Sequence, residues 1–424
     1  MRIVYTPHPV TDRSSALSRK YLEGLNPISG KPILEDIVAA LTEPVSDEDK
    51  GTGFLPREPR TRFLEPDTVE NLEKYFYENN FTDELPIVLP TEEKVAAMLK
   101  ATSHRPDELV GKMAASPPHE AWEYTVEMVA VNAVMSGAKP EYFPAILAIA
   151  STGATSLISS TSSYARMALF NGPVAKEIGM NSGIGAMGPF NRANATIGRC
   201  WTLISKNLGG SGTPGETYMG SQGSPLNYNN LCFPETEEGL PPGWKPFHVQ
   251  KGFKPAESVV SIFGGWSLSN IAWYTPLPVH EVIRGWLEHF FSTSVTQATI
   301  IMDPTVAADV AAAGFDSKKA FADYLIRNTG TPGWLYWQTR QEEMQQGRKG
   351  AEPFASYLKL GKENVVPVSR FTGKAVMGTP VNPSVNFPAS PTPIEIIVMG
   401  GGTNTYWSGG DFSYQSSTSI DEWR

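Results

Sequence analysis

Short apolar segments that lead directly into capped helices most constrain the fold of this chain. Residues 299–302 (TIIM) have the β-branched content of a buried strand, and the Asp-Pro pair at 303–304 follows at once with helix start signals. The pattern then predicts one helix over 305–313 and a second, capped by a serine, over 317–327. Because strands that alternate with helices are typical of layered α/β domains, we expect an α/β fold.

Similar patterns extend along the chain. Two further short strands are predicted at 259–263 and 394–399, and a helix capped by Thr91 is predicted through Lys100. Apolar residues at helical spacing predict a helix over His119–Ser136. The expected architecture is therefore one or more mixed sheets with flanking helices and long Gly/Asn-rich loops.

The N-terminal segment has a different character. It contains seven prolines up to residue 59, so we expect an irregular Pro-rich arm over 1–83 with only short helical stretches such as Thr68–Glu78. The remaining chain is predicted to form a main α/β body with the polar pocket over 84–300. A C-terminal α/β portion over 301–424 is expected to pack on it.

From the composition and the hydrophobic pattern, we expect neither a nucleic-acid nor a membrane partner. The net charge is −9 and no purely basic stretch exists, which argues against a nucleic-acid surface. No run approaches the roughly eighteen apolar residues that span a bilayer, and the N-terminus does not have a signal-peptide pattern. Two cysteines do not form a disulfide framework, so we expect a cytoplasmic protein with reduced thiols.

A polar segment at 171–238 is the main candidate for a binding pocket, because it is dense in asparagine and glycine. Amide and guanidinium groups in glycine-rich loops can bind a carboxylate or another oxyanion, although asparagine and glycine also serve turns. The predicted substrate-binding residues are Asn132, Asn171, Asn181, Ser182, Arg192, Asn194 and Arg199.

Three residues are candidates for catalysis. Cys232 could act as a nucleophile if a neighbour stabilised its thiolate, and His248 is the nearest histidine downstream. Glu127 lies between apolar residues, where partial burial would suit an acid or base. The alternative for Cys232 is an inert buried thiol, which is the expectation for Cys200 as well.

No cofactor is evident from the sequence. The six histidines show no metal-binding spacing, although His280 and His289 could belong to a site assembled in space. The three glycines at 400–402 have neither a dinucleotide-binding fingerprint nor a P-loop lysine, so we interpret them as a plain loop.

Several segments together resemble a known family. They are 84–95 (ELPIVLPTEEKV), 127–147, 171–199, 231–238 (LCFPETEE), 246–253, 303–325 and 394–402 (IEIIVMGGG). They are similar to a widespread bacterial family of unassigned activity, often fused or linked to a small domain with a UGSC motif. In that motif a selenocysteine or cysteine stands next to Gly-Ser-Cys. This chain contains no Gly-Ser-Cys.

Three functional hypotheses follow. The first is a subunit of a small-molecule enzyme, a hydrolase or lyase, that cleaves a bond in a polar or anionic substrate. The second, implied by the resemblance, is the substrate-holding large subunit of a thiol or selenol redox complex with a separate small partner. The third is a non-catalytic binding or assembly protein. A homo-oligomer, or a hetero-oligomer with a small Cys- or Sec-containing subunit, is expected.

Overall fold

The computed structural model describes most of the chain, namely residues 4–7, 15–44, 47, 50, 61–116, 120–160, 164–272, 276–293, 297–332, 365–367, 394–402 and 405–424. Contacts divide it into a small unit, Met1–Glu58 with Gly330–Val366, and a large unit, Pro59–Thr329 with Pro367–Arg424. The domain boundaries predicted at 83/84 and 300/301 stay predictions.

The described residues form twelve α-helices and twelve strands. The helices are α1 (Ser15–Leu22), α2 (Ile33–Thr42), α3 (Val69–Glu78), α4 (Glu92–Leu99), α5 (Val126–Met135), α6 (Phe143–Ser151), α7 (Val174–Glu177), α8 (Arg192–Asn207), α9 (Phe247–Gln250), α10 (Val279–Thr293), α11 (Pro304–Ala312) and α12 (Lys318–Asn328). The strands are β1 (Leu109–Met113), β2 (Trp122–Thr125), β3 (Ala165–Asn171), β4 (Leu231–Pro234), β5 (Val259–Gly265), β6 (Leu268–Ala272), β7 (Ala298–Met302), β8 (Gly330–Pro332), β9 (Val365–Pro367), β10 (Ile394–Val398), β11 (Tyr406–Gly410) and β12 (Ser413–Ser419).

The small unit contains α1 and α2, and the loop between these helices is closed by one asparagine. The Asn26 side chain donates to Asp36 Oδ2 over 2.8 Å and accepts from the backbone N–H of Ile28 over 2.9 Å. Strands β8 and β9 pair as a two-stranded sheet.

Residues 1–83 thus hold helices between their prolines, and the predicted patch Thr68–Glu78 is confirmed as α3, with Thr68 as its N-cap.

The large unit is built around two four-stranded mixed sheets. The first has the strand order β12-β5-β3-β4 and the second has the order β10-β7-β11-β6. Within them, β3 and β4 run parallel, as do β7 and β10, and the other neighbours are antiparallel. The expected α/β fold with mixed sheets and flanking helices is therefore confirmed.

Side-chain alternation along the strands shows how the layers stack. On β3, Ala168 and Phe170 pack against the helices α5, α6 and α8, whereas Met167 and Leu169 join a core that includes Ile301 of the second sheet. The opposite face of the second sheet packs on α10, α11 and α12. The large unit is thus a four-layer helix–sheet–sheet–helix stack. Strands β5 and β7 are buried on both faces, which accounts for their largely apolar sequences.

Most of the predicted elements are confirmed, including the strands at 259–263, 299–302 and 394–399 and the helices capped by Thr91 and Ser317. The helix predicted over His119–Ser136 is wrong in its first part. Trp122–Thr125 form β2, which pairs antiparallel with β1, and the helix begins at Val126. His119 lies outside the described residues.

The reason for this difference is the burial of Tyr124. Its ring is fully buried and its hydroxyl donates to the carbonyl oxygen of Ala150 over 2.6 Å, while the neighbouring Glu123 is exposed. This alternation is a strand pattern, and it was masked by the helical spacing of Trp122 and Val126. In the part of the chain that the structure describes, no helix combines the length and apolar character needed to cross a membrane.

Candidate functional site

The carboxyl ends of both parallel strand pairs meet at one edge of the large unit. After β4, the backbone N–H of Thr236 donates to the carbonyl oxygen of Val398, the last residue of β10, over 2.9 Å. Two residues beyond β10, the N–H of Gly400 donates to Ser182 O over 2.8 Å. The polar residues Asn171, Glu235, Glu237, His248 and Lys318 gather at this edge, and we name them the carboxyl-end cluster.

Glu235 is the anchor of the cluster. Its side chain is fully buried, and Oε2 accepts from the Phe247 N–H over 2.6 Å and from Asn171 Nδ2 over 3.0 Å. Oε1 accepts from Lys318 Nζ and from the Val398 N–H. One carboxylate therefore fixes the ends of β3 and β10 and the starts of α9 and α12, and its acceptor capacity is used internally.

Lys318 is the cationic partner of Glu235. Its side chain is 2 % exposed. It is the first residue of α12, next to the Ser317 N-cap, where the helix dipole disfavours a positive charge. A buried ammonium at that position requires an anion, and Glu235 supplies it.

Glu237 differs from Glu235 because it is partly accessible, with 28 % of its side chain exposed. Oε1 accepts from the Gly172 N–H over 2.7 Å and from Asn171 Nδ2 over 2.9 Å. Gly172 has φ +81°, and a Cβ there would lie 2.1 Å from the Glu257 carbonyl oxygen, so only glycine allows this approach. Oε2 of Glu237 accepts no hydrogen bond from the described residues and can contact a ligand.

His248 is the least satisfied group of the cluster. The residue is fully buried, yet neither Nδ1 nor Nε2 has a hydrogen-bond partner among the described residues. Nδ1 lies 3.8 Å from Glu237 Oε1. The buried Oδ1 of Asn171 likewise has no partner among the residues that the structure describes. Because an unsatisfied buried polar atom costs about 1–3 kcal/mol, such a group in a native fold indicates a water, ion or ligand site.

The charges of the cluster set the ligand it favours. Two glutamates and one lysine give a formal charge of −2 + 1 = −1, counted as for the whole chain without the histidine. The unused atoms are mainly acceptors, namely Glu237 Oε2 and Asn171 Oδ1, together with the imidazole nitrogens. This edge is therefore suited to a polar molecule that presents N–H or O–H groups, and to proton exchange with it.

The predicted pocket residues Asn181, Ser182 and Asn194 lie beside this edge. Ser182 O accepts from Thr236 Oγ1 over 2.6 Å. The Asn181 amide donates to Ile184 O and accepts from the Gly183 N–H, and Asn194 Nδ2 donates to Asn181 O. These hydrogen bonds hold the loop between α7 and α8 in place beside the carboxyl-end cluster. Their assignment to a substrate stays a prediction.

The two predicted arginines are bound elsewhere. Arg192 donates to the carbonyl oxygen of Gly137 after α5, with the shorter contact 3.0 Å long. Arg199 makes a two-pronged ion pair with Asp83, both contacts being 2.8 Å long, and also donates to Leu85 O. Both arginines thus tie α8 to neighbouring chain segments.

Glu127 and Asn132 lie on the helical side of the first sheet. Glu127 pairs with Arg62 over 2.7 Å and is 29 % exposed. The buried Asn132 donates to Met128 O and accepts from Asn207 Nδ2, which joins α5 to α8. Among the described residues, no hydrogen bond or ion pair links Glu127 or Asn132 to His248.

Cys232 also faces the helical side of the first sheet, in the apolar cluster that contains Cys200. Burial raises the pKa of the Cys232 thiol far above its usual value and that of Cys200 to about 12. Leu231 and Phe233, its neighbours on β4, point to the opposite face, which is the face of Phe247 beside His248. The Cys232 thiol stays protonated near neutral pH, so a nucleophilic role gains no support from its surroundings.

Within the described residues, no group of three or more His, Cys, Asp or Glu side chains is placed to hold a metal ion. His280 packs against the rings of Phe315 and Tyr324 and lies 3.7 Å from Glu281. The side chain of His289 lies outside the described residues, so the predicted pairing with His280 stays a prediction.

The roles of Glu235, Glu237 and Lys318 were not predicted from the sequence. The two glutamates directly follow a strand, and a parallel strand's carboxyl end is where α/β folds place ligand-binding groups. Lys318 could have been noticed because a lysine at the first helical position opposes the helix dipole.

Comparison of the chain with family models, curated proteins and solved structures finds no match.

Proposed function

We propose that this chain is a subunit of a small-molecule enzyme, a hydrolase or lyase, that cleaves a bond in a polar substrate by general acid–base catalysis at Glu237 and His248. One observation supports this above the others. A fully buried imidazole, neither of whose nitrogens has a hydrogen-bond partner in the described part of the chain, lies 3.8 Å from a partly exposed carboxylate. A carboxylate and an imidazole are the side chains most often used to transfer protons.

The roles follow from accessibility. Glu237 is held through Oε1 by Asn171 and Gly172, which leaves Oε2 to accept a proton from water or from the substrate. Nδ1 of the buried His248 lies 3.8 Å from the other carboxylate oxygen, Oε1, so the imidazole can stabilise the changes in charge at Glu237, and Oε2 of Glu237 itself returns the proton to a leaving group. Water addition would give hydrolysis, and proton abstraction next to a leaving group would give elimination.

The test is a substrate screen with matched variants. Purified protein is incubated with a panel of small amides, esters and hydroxy acids, and products are followed by mass spectrometry. For a substrate that is turned over, Glu237→Gln should lower kcat/KM by about 10²- to 10⁴-fold, because the variant keeps the shape but cannot accept a proton. His248→Asn should have a loss of similar size.

Cys232→Ala is the control, because it removes the thiol and leaves the cluster intact. It should keep kcat/KM within about twofold of the wild type, since a protonated buried thiol contributes no nucleophile. If Cys232→Ala abolishes turnover while Glu237→Gln retains it, the acid–base assignment is refuted. Ligand-induced stabilisation without product over long incubation would instead favour the binding-protein hypothesis.

The redox hypothesis requires a partner. Both cysteines are free and buried, so neither presents an accessible thiol in this structure. A thiol or selenol would have to come from a separate small subunit, as the resemblance implies. Co-purification with a small Cys-containing protein would favour this hypothesis, and a homo-oligomer active alone would argue against it.

A further inference from the structure

A second polar site lies at the opposite end of β3, around Arg166. Among the described residues, three other buried or nearly buried cations each have a carboxylate partner: Lys318 pairs with Glu235, Arg199 with Asp83 and Lys251 with Glu395. Arg166 is only 6 % exposed and forms no ion pair with any described residue. A buried guanidinium without an anion is costly, and burial lowers the pKa of Arg166.

Within the described part of the chain, the partners of Arg166 are all neutral. Nε donates to the carbonyl oxygen of Thr155 over 2.8 Å, and Nη1 donates to Gln415 Oε1. Its guanidinium carbon lies 5.2 Å from the centre of the Tyr164 ring. Nη2 donates to none of the residues that the structure describes. The charge is thus solvated by dipoles but not neutralised.

Tyr164 and Gln415 leave hydrogen-bond donors unused beside Arg166. Gln415 Nε2 donates to the Tyr164 hydroxyl oxygen over 3.0 Å, so the hydroxyl hydrogen remains available. Gly264, opposite Arg166 on β5, leaves room for the Tyr164 hydroxyl at this position, because a Cβ there would lie 1.8 Å from the hydroxyl oxygen. Asp411 is close enough to act electrostatically on Tyr164, and its Oδ1 accepts from the backbone N–H groups of Trp266 and Ser267.

We propose that Arg166, Tyr164 and Gln415 form a binding site for a small carboxylate anion, separate from the carboxyl-end cluster. A carboxylate is planar and matches the fork of Arg166 Nη2 and Nη1, and its second oxygen can accept from the Tyr164 hydroxyl. The ligand class is a small organic acid, since only 6 % of Arg166 is exposed.

The experiment measures thermal stability of the full chain with sodium acetate as the probe, against sodium chloride at equal ionic strength. Acetate should raise the melting temperature saturably by on the order of a few degrees, because a ligand of the native state stabilises by mass action. Arg166→Met should lose this acetate-specific rise. Equal melting temperatures in acetate and chloride for the wild type would overturn the proposal, as would stabilisation by phosphate alone.

Two further variants keep the test decisive if Arg166→Met does not fold. Tyr164→Phe removes one donor and should weaken acetate binding several-fold while preserving the ring contacts. Gln415→Glu places a carboxylate beside Arg166, so it should raise the melting temperature without acetate and abolish the acetate response. If Gln415→Glu lowers the melting temperature and leaves an acetate response unchanged, Arg166 does not need an anion and the proposal fails.

Discussion

Replacing Lys318 by methionine tests whether the buried ion pair organises the carboxyl-end cluster. The change keeps the length and apolar stem of the side chain but removes its charge. Glu235 then remains as a fully buried carboxylate with three neutral donors, Asn171 Nδ2 and the N–H groups of Phe247 and Val398. Removal of one partner from a buried pair costs about 3–5 kcal/mol, because the other charge stays buried and uncompensated.

Two smaller effects refine this value. The three remaining donors still solvate the Glu235 carboxylate, which places the expected loss near the lower limit, about 3 kcal/mol. Removal of a positive charge from the start of α12 returns about 0.3–1 kcal/mol through the helix dipole. The net loss in free energy of unfolding is therefore expected to be about 2–3 kcal/mol, still dominated by the unpaired charge.

Lys319→Met is the matched control, one residue further along the same helix. Lys319 is 72 % exposed and pairs with Asp323 over 2.7 Å, so its loss should cost at most about 0.5 kcal/mol. Unfolding in urea, followed by tryptophan fluorescence, compares the two variants. The double variant Lys318→Met/Glu235→Gln should be more stable than Lys318→Met, since no unpaired charge remains. Equal losses for Lys318→Met and Lys319→Met would refute the reasoning.

The remaining predictions concern pH and backbone crowding. Hydrogen bonds to Glu108 and to the Glu422 carbonyl oxygen raise the pKa of His104. Protonated His104 therefore stabilises the C-terminal turn fully below about pH 6.5, and this stabilisation declines as the pH rises through the higher native pKa. Hydrogen exchange at the C-terminal turn should therefore accelerate above neutral pH in the wild type and be pH-independent, after correction for intrinsic rates, in His104→Gln. Gly198→Ala should destabilise by roughly 3 kcal/mol in urea unfolding, because its Cβ would lie 1.8 Å from a backbone oxygen. Gly285→Ala meets no atom within 4 Å and should stabilise α10 by about 0.5–1 kcal/mol, and a destabilisation there would contradict the helix assignment.

Local features of the fold could be predicted from the sequence. The N-caps Thr91 and Ser317 accept hydrogen bonds from the backbone three residues ahead, so the information that starts each helix lies within four residues. The continuously apolar strand at 299–302 is likewise a local property. Tyr124 shows the limit, because a ring buried against Ala150 overrides the helical spacing around it.

The candidate site could be located only in part. His248 and Asn171, both named from the sequence, lie in the carboxyl-end cluster. Glu235 and Lys318 are 83 positions apart and meet only through the order of the strands. Cys232 is kept apart from His248 for a different reason. Adjacent residues on a strand point to opposite faces of the sheet, and Cys232 points to the helical side. Sheet order and strand face are set by long-range packing, which a single sequence does not display.

The two proposed sites share β3 but cannot act on one small molecule. Arg166 and Asn171 are separated by five residues of extended strand, which at about 3.3 Å per residue is roughly 17 Å. A small carboxylate that contacts Arg166 therefore does not reach Glu237 beside Asn171. The acid–base step and the anion response should consequently be separable. Glu237→Gln should keep the acetate-dependent rise in melting temperature while it lowers kcat/KM, and a simultaneous loss of both would mean that the two ends of β3 form one extended site.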